Sequence, residues 1–169
     1  QKRATVIKTM IDRAFERIEA RQAGRAVSGV ETGFAAIDAI LNPMKPGQVV
    51  IVGGRPSSGK TSMVTRWFVN AGYAWSQEML RGGEKKSGLF FSLETKEEDL
   101  ADRLLCMTAA VNVGKMQRSA VDSAEFDRLN ESAEALYLLP LYFDDGYELT
   151  ITDLRRKARN HKREHGLGM

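Results

Sequence analysis

Residues 54–61 carry the clearest chemical signal in the sequence, because GRPSSGKT fits the spacing G-x-x-x-x-G-K-[ST]. Glycines let such a loop turn its backbone N–H groups toward a phosphate, and the helix that follows adds the positive end of its dipole. We therefore predict that this loop binds ATP and Mg²⁺ rather than serving as a plain glycine-rich turn. The predicted binding residues are Gly54, Arg55, Pro56, Ser57, Ser58, Gly59, Lys60, Thr61 and Ser62.

Two of these residues have side chains with a specific task in the prediction. Lys60 would reach the β- and γ-phosphates, and the Thr61 hydroxyl would be a ligand of the Mg²⁺ ion. The motif also lies in the context that it requires, since an apolar run of strand length precedes it and an apolar helical pattern follows it.

Glu94 is the candidate for activating a water molecule. It closes the apolar run GLFFSLE, and a carboxylate at the C-terminal end of a parallel strand lies in the crevice where ligands bind. The alternative is an N-cap or first-turn acid, since ETKEED, which begins with Glu94, is acidic and opens a helix. From spacing alone, both interpretations stay open.

Asp144 and Asp145 end another apolar run, LYFDD, which resembles a pattern that holds Mg²⁺ in many nucleotidases. The residues that follow, GYELT, are instead typical of a turn that leads to an N-cap at Thr150 or Thr152. We predict a structural role for both aspartates.

The segment 155–165 carries six Lys or Arg residues and two histidines. It could meet a nucleic-acid backbone, but the pattern is also typical of the outer face of a charged helix, which we favour. His161 and His165 have no third metal ligand nearby, so we expect them to be a surface pair. Cys106 lies in an apolar helical stretch and is predicted to be in the core.

The composition limits the class of protein. With 169 residues, 43% of them hydrophobic and 28% charged, the chain has the size and balance of one globular domain, and its net charge is +3. A single cysteine allows no internal disulfide and suggests no zinc site, which fits a reducing cytoplasm. No apolar run is long enough to span a bilayer. The chain does not begin with methionine, so we expect a processed piece or a part of something longer.

Residues 4–22 are predicted to form an amphipathic helix with a wide apolar face, followed by a glycine-containing linker over 23–30. An exposed apolar face of this kind is expected to dock on something. It would either fold back on its own domain or lie in a groove of a neighbouring subunit, which we favour.

The rest of the chain alternates between strand and helix patterns, which predicts a three-layer α/β fold with a mainly parallel sheet. Three strands make a small parallel sheet, so the pattern is typical of half of a domain. The predicted strands are 47–54, 88–94 and 139–146; the predicted helices are 34–41, 61–75, 96–110, 123–137 and 152–165; and 76–87 is a polar connection.

Five stretches in order now point to one family: VSGVETGFAAID, VVIVGGRPSSGKTS, GLFFSLETKEEDLADRLL, LPLYFDD and LTITDLRRKARNHKREHGLGM. With them the chain resembles the replicative hexameric DNA helicases of the bacterial DnaB type. It looks like their linker helix (1–22), a linker (23–30) and a partial RecA-like ATPase domain (31–169). The loop departs from the family in Gly53-Gly54, where alanines are common, and 77–86 looks longer than usual.

The resemblance implies that Glu94 is the catalytic carboxylate and that residues 4–22 pack on the adjacent subunit of a hexameric ring. It further implies a cytoplasmic protein, bacterial or phage-encoded, that hydrolyses ATP between subunits to move on single-stranded DNA, with primase and a helicase loader as partners.

In relatives the second Mg²⁺ aspartate, the arginine finger and the DNA-gripping loops come later in the chain than the position that corresponds to Met169. We therefore expect negligible ATPase activity from these 169 residues alone. The alternatives are a RecA-like recombinase or clock-type ATPase, and a non-hydrolysing scaffold fragment that binds a helicase.

Overall fold

The computed structural model of the protein describes residues 6–23, 29–146 and 148–169. No helix within these ranges is long and apolar enough to cross a membrane. The helices are α1 (Ile7–Gln22), α2 (Ala35–Asp38), α3 (Lys60–Leu80), α4 (Glu97–Ala109), α5 (Val113–Gln117), α6 (Ser123–Tyr137) and α7 (Ile151–His165), and the strands are β1 (Gly88–Phe91) and β2 (Leu141–Asp144).

The two strands pair in parallel, with Gly88 opposite Leu141. The last residues of the chain bond to the other edge of β1: the Gly168 N–H donates to the Ser87 carbonyl at 2.8 Å, and the Leu89 N–H donates to the Met169 carbonyl at 2.9 Å. The parallel pairing that the alternation of strands and helices predicted is confirmed, and α4, α5 and α6 form the crossover that joins the two strands.

Helices cover the sheet on both faces. Successive side chains of a strand point to opposite faces, and β2 shows this directly. Phe143 packs edge-on against Phe68 of α3 with ring centroids 5.4 Å apart. Its neighbour Tyr142 packs instead against His161 of α7, at 4.5 Å. The three-layer arrangement predicted from the sequence is therefore confirmed.

Apart from the side chains that pack on the sheet, an apolar cluster joins α4, α5 and α6. Cys106 is completely buried there beside Leu129, as the prediction of a core position required, and burial raises the pKa of its thiol. The short helix α5 was not predicted, because five residues are too few to show a period. A capping box at Asp122 and Glu125 begins α6 at the predicted residue.

The predicted strand over 47–54 is wrong. These residues form no ladder in the described part of the chain, and Val49 and Ile51 are 86% and 89% exposed. A valine-rich run has strand propensity, but a strand exists only when another strand supplies the partners for its N–H and C=O groups. Among the described residues, none runs beside it.

The connection predicted over 76–87 begins later than expected, because α3 continues to Leu80 instead of ending near Trp75. Gln, Glu, Met and Leu at 77–80 are good helix formers, and the left-handed Gly82 (φ 80°) follows the end of the helix. The Lys86 ammonium then bonds to both carboxylate oxygens of Glu78, at 2.7 and 2.8 Å, which closes this turn.

Helix α1 matches the amphipathic helix predicted over 4–22, although residues 4 and 5 lie outside the described residues. Its apolar side chains are exposed, from 48% for Ile18 to 71% for Ile7. Most of the predicted linker, 24–28, also lies outside the description, while Val30 bridges to Met44. The boundary at residue 31 stays a prediction.

Candidate nucleotide-binding site

The loop 54–59 leads directly into α3, and its backbone has the shape that the motif predicts. Gly59 is left-handed (φ 84°) and immediately precedes the first helical residue, Lys60. Glycine adopts that conformation without the steric cost that a Cβ brings. The Ser58 N–H donates to the Arg55 carbonyl at 3.2 Å, so the loop closes on itself before the helix starts.

The first bond of α3 runs from the Met63 N–H to the Gly59 carbonyl, at 2.9 Å. The N–H groups of Lys60, Thr61 and Ser62 come before it, and helix geometry gives them no acceptor within the helix. They therefore point to the open end of the helix, where the dipole favours an anion.

The Lys60 side chain lies over the loop. Its ammonium donates to the carbonyls of Gly54 at 2.9 Å and Arg55 at 2.8 Å. A Cβ on Gly54 would come within 2.7 Å of the Ser58 hydroxyl, so the loop is tightly wound at this position. The geometry holds a cation where the phosphates of a nucleotide would meet the loop amides.

A magnesium ion would fit the donor chemistry of the loop only together with a nucleotide. Thr61 and Ser62 present exposed side chains with hydroxyl oxygens, which are hard ligands of the kind Mg²⁺ takes. The described residues contain no group of three His, Cys, Asp or Glu side chains that would hold a metal ion alone. Phosphate oxygens would have to supply most of the coordination.

Glu94 lies in an exposed turn at the end of β1. The Thr95 N–H donates to the Ser92 hydroxyl at 3.3 Å in this turn, and the N-cap of α4 is Lys96. Glu94 is thus neither the N-cap nor a first-turn acid, which contradicts the alternative interpretation. Phe68 packs on Phe90, and the later Trp75 lies against Gly168 beside the start of β1, so α3 runs antiparallel to the strand. Lys60 and Glu94 therefore both lie toward the carboxyl end of β1.

Asp144 and Asp145 have the structural roles that the sequence predicted. Asp144 forms an ion pair with Lys157 of α7, and this bond is the main cause that lowers the pKa of the carboxyl. Asp145 accepts from the Glu97 N–H at 3.2 Å, at the start of α4. The N-cap of α7 is Thr150, one of the two residues proposed for it.

The expectation that the two histidines form a surface pair is wrong for His161, which is 8% exposed. Its Nε2 lies 2.7 Å from the Ser87 hydroxyl, and Ser87 also donates to the Gly166 carbonyl. The Ser87 hydroxyl has one hydrogen, which it donates to the Gly166 carbonyl. Nε2 of His161 is therefore the donor of its bond to the Ser87 oxygen. Leu154, Ala158, His161 and His165 recur at three- and four-residue steps, a signal that would have revealed the inner face of α7.

Sequence reasoning also missed the anchor of the segment before the loop. The Asp38 carboxylate accepts from the Thr32 hydroxyl at 2.7 Å and from the Thr32 N–H at 2.8 Å, which lowers the pKa of Asp38. Trp67 and Asn70 of α3 donate to the carbonyls of Glu31 and Thr32. Helix α3 therefore positions both the loop and the segment upstream of it.

A phosphate-binding loop that enters a helix beside a parallel sheet defines the class of P-loop α/β domains. Within that class, the model of the DnaB-like helicase C-terminal domain family matches residues 29–169, and the chain belongs to this family.

The relatives agree with this assignment. The replicative DNA helicase DnaB of Rickettsia bellii (strain RML369-C) is 35% identical over 144 residues, which are 85% of this chain and 29% of the relative. That of Leifsonia xyli subsp. xyli (strain CTCB07) is 31% identical over 160 residues, 92% of this chain and 32% of the relative. The chain thus spans about a third of the length of these relatives.

Two solved structures have the same fold. One is a DnaB-like replicative helicase, described together with its interactions with primase; it has a TM-score of 0.78 at 20% identity and covers 98% of this chain and 37% of that one. The other is an ATPase domain, with a TM-score of 0.80 at 21% identity over 96% of this chain and 54% of that one. The RecA-like fold that the resemblance implied is confirmed.

Proposed function

We propose that this chain is the nucleotide-binding part of the motor of an ATP-dependent replicative DNA helicase. The observation that carries the proposal is the loop at residues 54–61, whose left-handed Gly59 presents the open N-terminus of α3 beneath the Lys60 ammonium. Membership of the DnaB-like family supports the helicase function over a recombinase or clock-type ATPase and over a scaffold without nucleotide chemistry.

In this proposal the triphosphate of ATP takes the place of the two carbonyls as the partner of Lys60. Bonds from an ammonium to phosphate oxygens are charge-assisted and stronger than bonds to neutral carbonyls. The free N–H groups at the start of α3 bind the same phosphates, and Thr61 completes the Mg²⁺ site through its hydroxyl. The chain's contribution is to bind and orient the phosphates.

Glu94 is proposed as the group that orients and deprotonates the attacking water. Its exposed carboxylate follows the carboxyl end of β1, toward which the start of α3 also lies. ATP hydrolysis in the whole protein would then drive movement on single-stranded DNA at a replication fork. Such a protein works in the cytoplasm of a bacterium or of the host of a phage.

The first test is binding of a fluorescent ATP analogue in the presence of Mg²⁺, with Lys60→Ala compared with Lys45→Ala. Losing the charge-assisted bonds costs about 1.5–3 kcal/mol, so Lys60→Ala should weaken binding about 10- to 150-fold, while exposed Lys45 should have no effect. Equal affinities for the two variants, or no binding by the unaltered chain, would sink the proposal.

The same experiment extends to Glu94 in the intact helicase that contains this domain. Glu94→Gln should keep its affinity for the analogue and lower kcat for ATP by about 10²-fold or more, the usual contribution of a general base. An unchanged kcat would remove Glu94 from the mechanism and leave the binding site intact.

We further propose that α1 packs on a neighbouring copy of the chain in a ring. Its exposed apolar face needs a partner, and the groove between α4, α6 and β2 has the matching chemistry. This groove is an open cavity of about 550 Å³ with apolar walls that include Leu104, Leu136 and Phe143. Glu97 and Glu98 line the same cavity, and α1 carries Lys8 at the border of its apolar face, so the charges of the two surfaces are opposite.

For the whole helicase that contains this domain, primase and a loader are further proposed partners.

The double variant Ile11→Asp/Phe15→Asp tests the docking of α1, with Arg13→Asp on the polar side of the helix as its control. Charges on the apolar face should reduce the mass of the assembly to that of the monomer in analytical ultracentrifugation, while nucleotide binding is retained. An assembly that survives the double variant, or that the control disrupts equally, would show that α1 is not the docking element.

A further inference from the structure

The outer face of α7 carries positive charge without interruption. At about 100° per residue, Arg155, Arg156, Arg159, Lys162 and Arg163 fall within an arc of about 120°, and all five are exposed. We call these five residues the basic face. Between Arg155 and Arg163 it extends about 12 Å along the helix, at about 1.5 Å per residue, and no acidic residue falls inside the arc.

Ion pairs neutralise little of this charge. Arg156 bonds to Asp153 at 3.2 Å, and Arg163 lies 3.9 Å from Glu164. Within the described part of the chain, Arg155, Arg159 and Lys162 form no ion pair. The sixth basic residue of the helix, Lys157, points inward to Asp144 and does not belong to the basic face.

A solvated helix face usually mixes charges, because opposite charges at i,i+4 stabilise a helix and like charges destabilise it by about 0.2–0.5 kcal/mol per pair. The basic face contains like-charged pairs at this spacing, Arg155 with Arg159 and Arg159 with Arg163. The helix dipole accounts for the cations in the last turn, Lys162 and Arg163. It does not account for the cations in the first half of the helix.

We propose that the basic face of α7 binds the phosphate backbone of single-stranded DNA. Four of its five cations are guanidinium groups, which bind phosphate in a bidentate way. Each phosphate that is neutralised also releases condensed counterions, a driving force that a polyanion supplies and a small anion does not. A flexible single strand bends to follow a convex helix, whereas a duplex has a persistence length of about 50 nm and touches such a helix at few phosphates.

A second copy of the chain is the competing partner, because α6 carries an acidic row at the same spacing, Asp127, Glu131 and Glu134. Exposed ion pairs, however, are worth only about 0.2–1 kcal/mol each. The arc contains no exposed apolar side chain from which to build the desolvated centre of a protein interface. The observations therefore favour the nucleic acid. This surface lies outside the nucleotide loop, so the proposal does not depend on that loop.

The experiment measures fluorescence anisotropy of labelled oligothymidylate with the triple variant Arg155→Gln/Arg159→Gln/Lys162→Gln. Its control, Lys45→Gln/Arg81→Gln/Arg118→Gln, removes the same charge from exposed sites elsewhere. We expect the α7 variant to bind at least about tenfold more weakly at low salt. The slope of log K against log[salt] should become about 2 less negative, since each lost phosphate contact changes this slope by about 0.7. The control should lose at most about twofold in affinity.

Four outcomes would overturn the proposal: no oligothymidylate binding by the unaltered chain, equal losses in both variants, equal binding of a duplex of the same length, or full competition by polyglutamate. A change in assembly mass without a change in DNA affinity would assign the basic face to contact between copies. Binding of the ATP analogue should be the same in both variants, which separates this proposal from that of the nucleotide site.

Discussion

The two faces of β2 are stabilised by different physical forces. On one face, Phe143 meets Phe68 and Phe90, whose ring centroids lie 5.4–5.6 Å apart in a mutually tilted cluster. On the other face, Tyr142 lies against the imidazoles of His161 and His165, and its hydroxyl lies 3.2 Å from Nδ1 of His165. One strand thus borders an apolar layer on one side and a hydrogen-bonded, titratable layer on the other.

The difference teaches which part of the fold depends on solution conditions. Burial of apolar rings does not involve a proton, so the layer around Phe68 should hold α3 against the sheet at any pH in the neutral range. The layer around His161 holds α7 through a neutral imidazole and the Ser87 hydroxyl. Protonation opposes that burial, because the charged form of a buried group is the one that desolvation penalises.

The largest expected effect comes from breaking the apolar layer. Phe68 is 2% exposed, and Phe68→Ala should lower the free energy of unfolding by about 3–5 kcal/mol, since it removes buried area and leaves a cavity. Urea denaturation followed by circular dichroism measures this. The loss should be the same at pH 7 and at pH 5.5, because no titratable group is removed.

Phe126→Ala is the matched control for that change. Phe126 is 59% exposed on α6, so its removal should cost less than about 0.5 kcal/mol. If both variants lose the same stability, the apolar layer does not have the role assigned to it.

A smaller effect is expected from acid. Desolvation lowers the pKa of His161, the nearby His165 lowers it further, and Glu164 acts in the opposite direction. The unfolded chain then takes up a proton near pH 6.5, before the folded chain does. The contribution of neutral His161 to stability is therefore fully present above pH 6.5 and is lost as the pH drops toward the lowered pKa. For one group, the free energy of unfolding falls by at most about 1.4 kcal/mol per pH unit.

Urea denaturation between pH 7 and pH 5 checks this, above the range where the aspartates titrate. His161→Gln should flatten the dependence on pH, while Phe68→Ala should keep the slope of the unaltered chain. A slope that His161→Gln leaves unchanged would show that another group is responsible, and the two layers would then not differ as described.

Where a signal was local, the sequence predicted the structure well. The helix predicted over 123–137 is α6 to the residue, because its apolar period and its capping box lie within one segment. The loop shape at Gly59 also follows from neighbouring residues. His161 shows the limit of such signals: the period of α7 places it on the inner face of the helix, but no pattern in α7 identifies its partner Ser87, 74 positions away. The segment 47–54, which forms no ladder in the described part of the chain, likewise depends on partners that its own valines do not specify.

Helix α3 has a mechanical consequence as well. It has 21 residues and so extends about 31 Å, at about 1.5 Å per residue, from the phosphate loop to the turn closed by Glu78 and Lys86. On the way it passes Trp75, which packs closely on Gly168 in the terminal segment beside β1. One rigid element therefore sets the distance between the phosphate loop and the terminal segment beside β1.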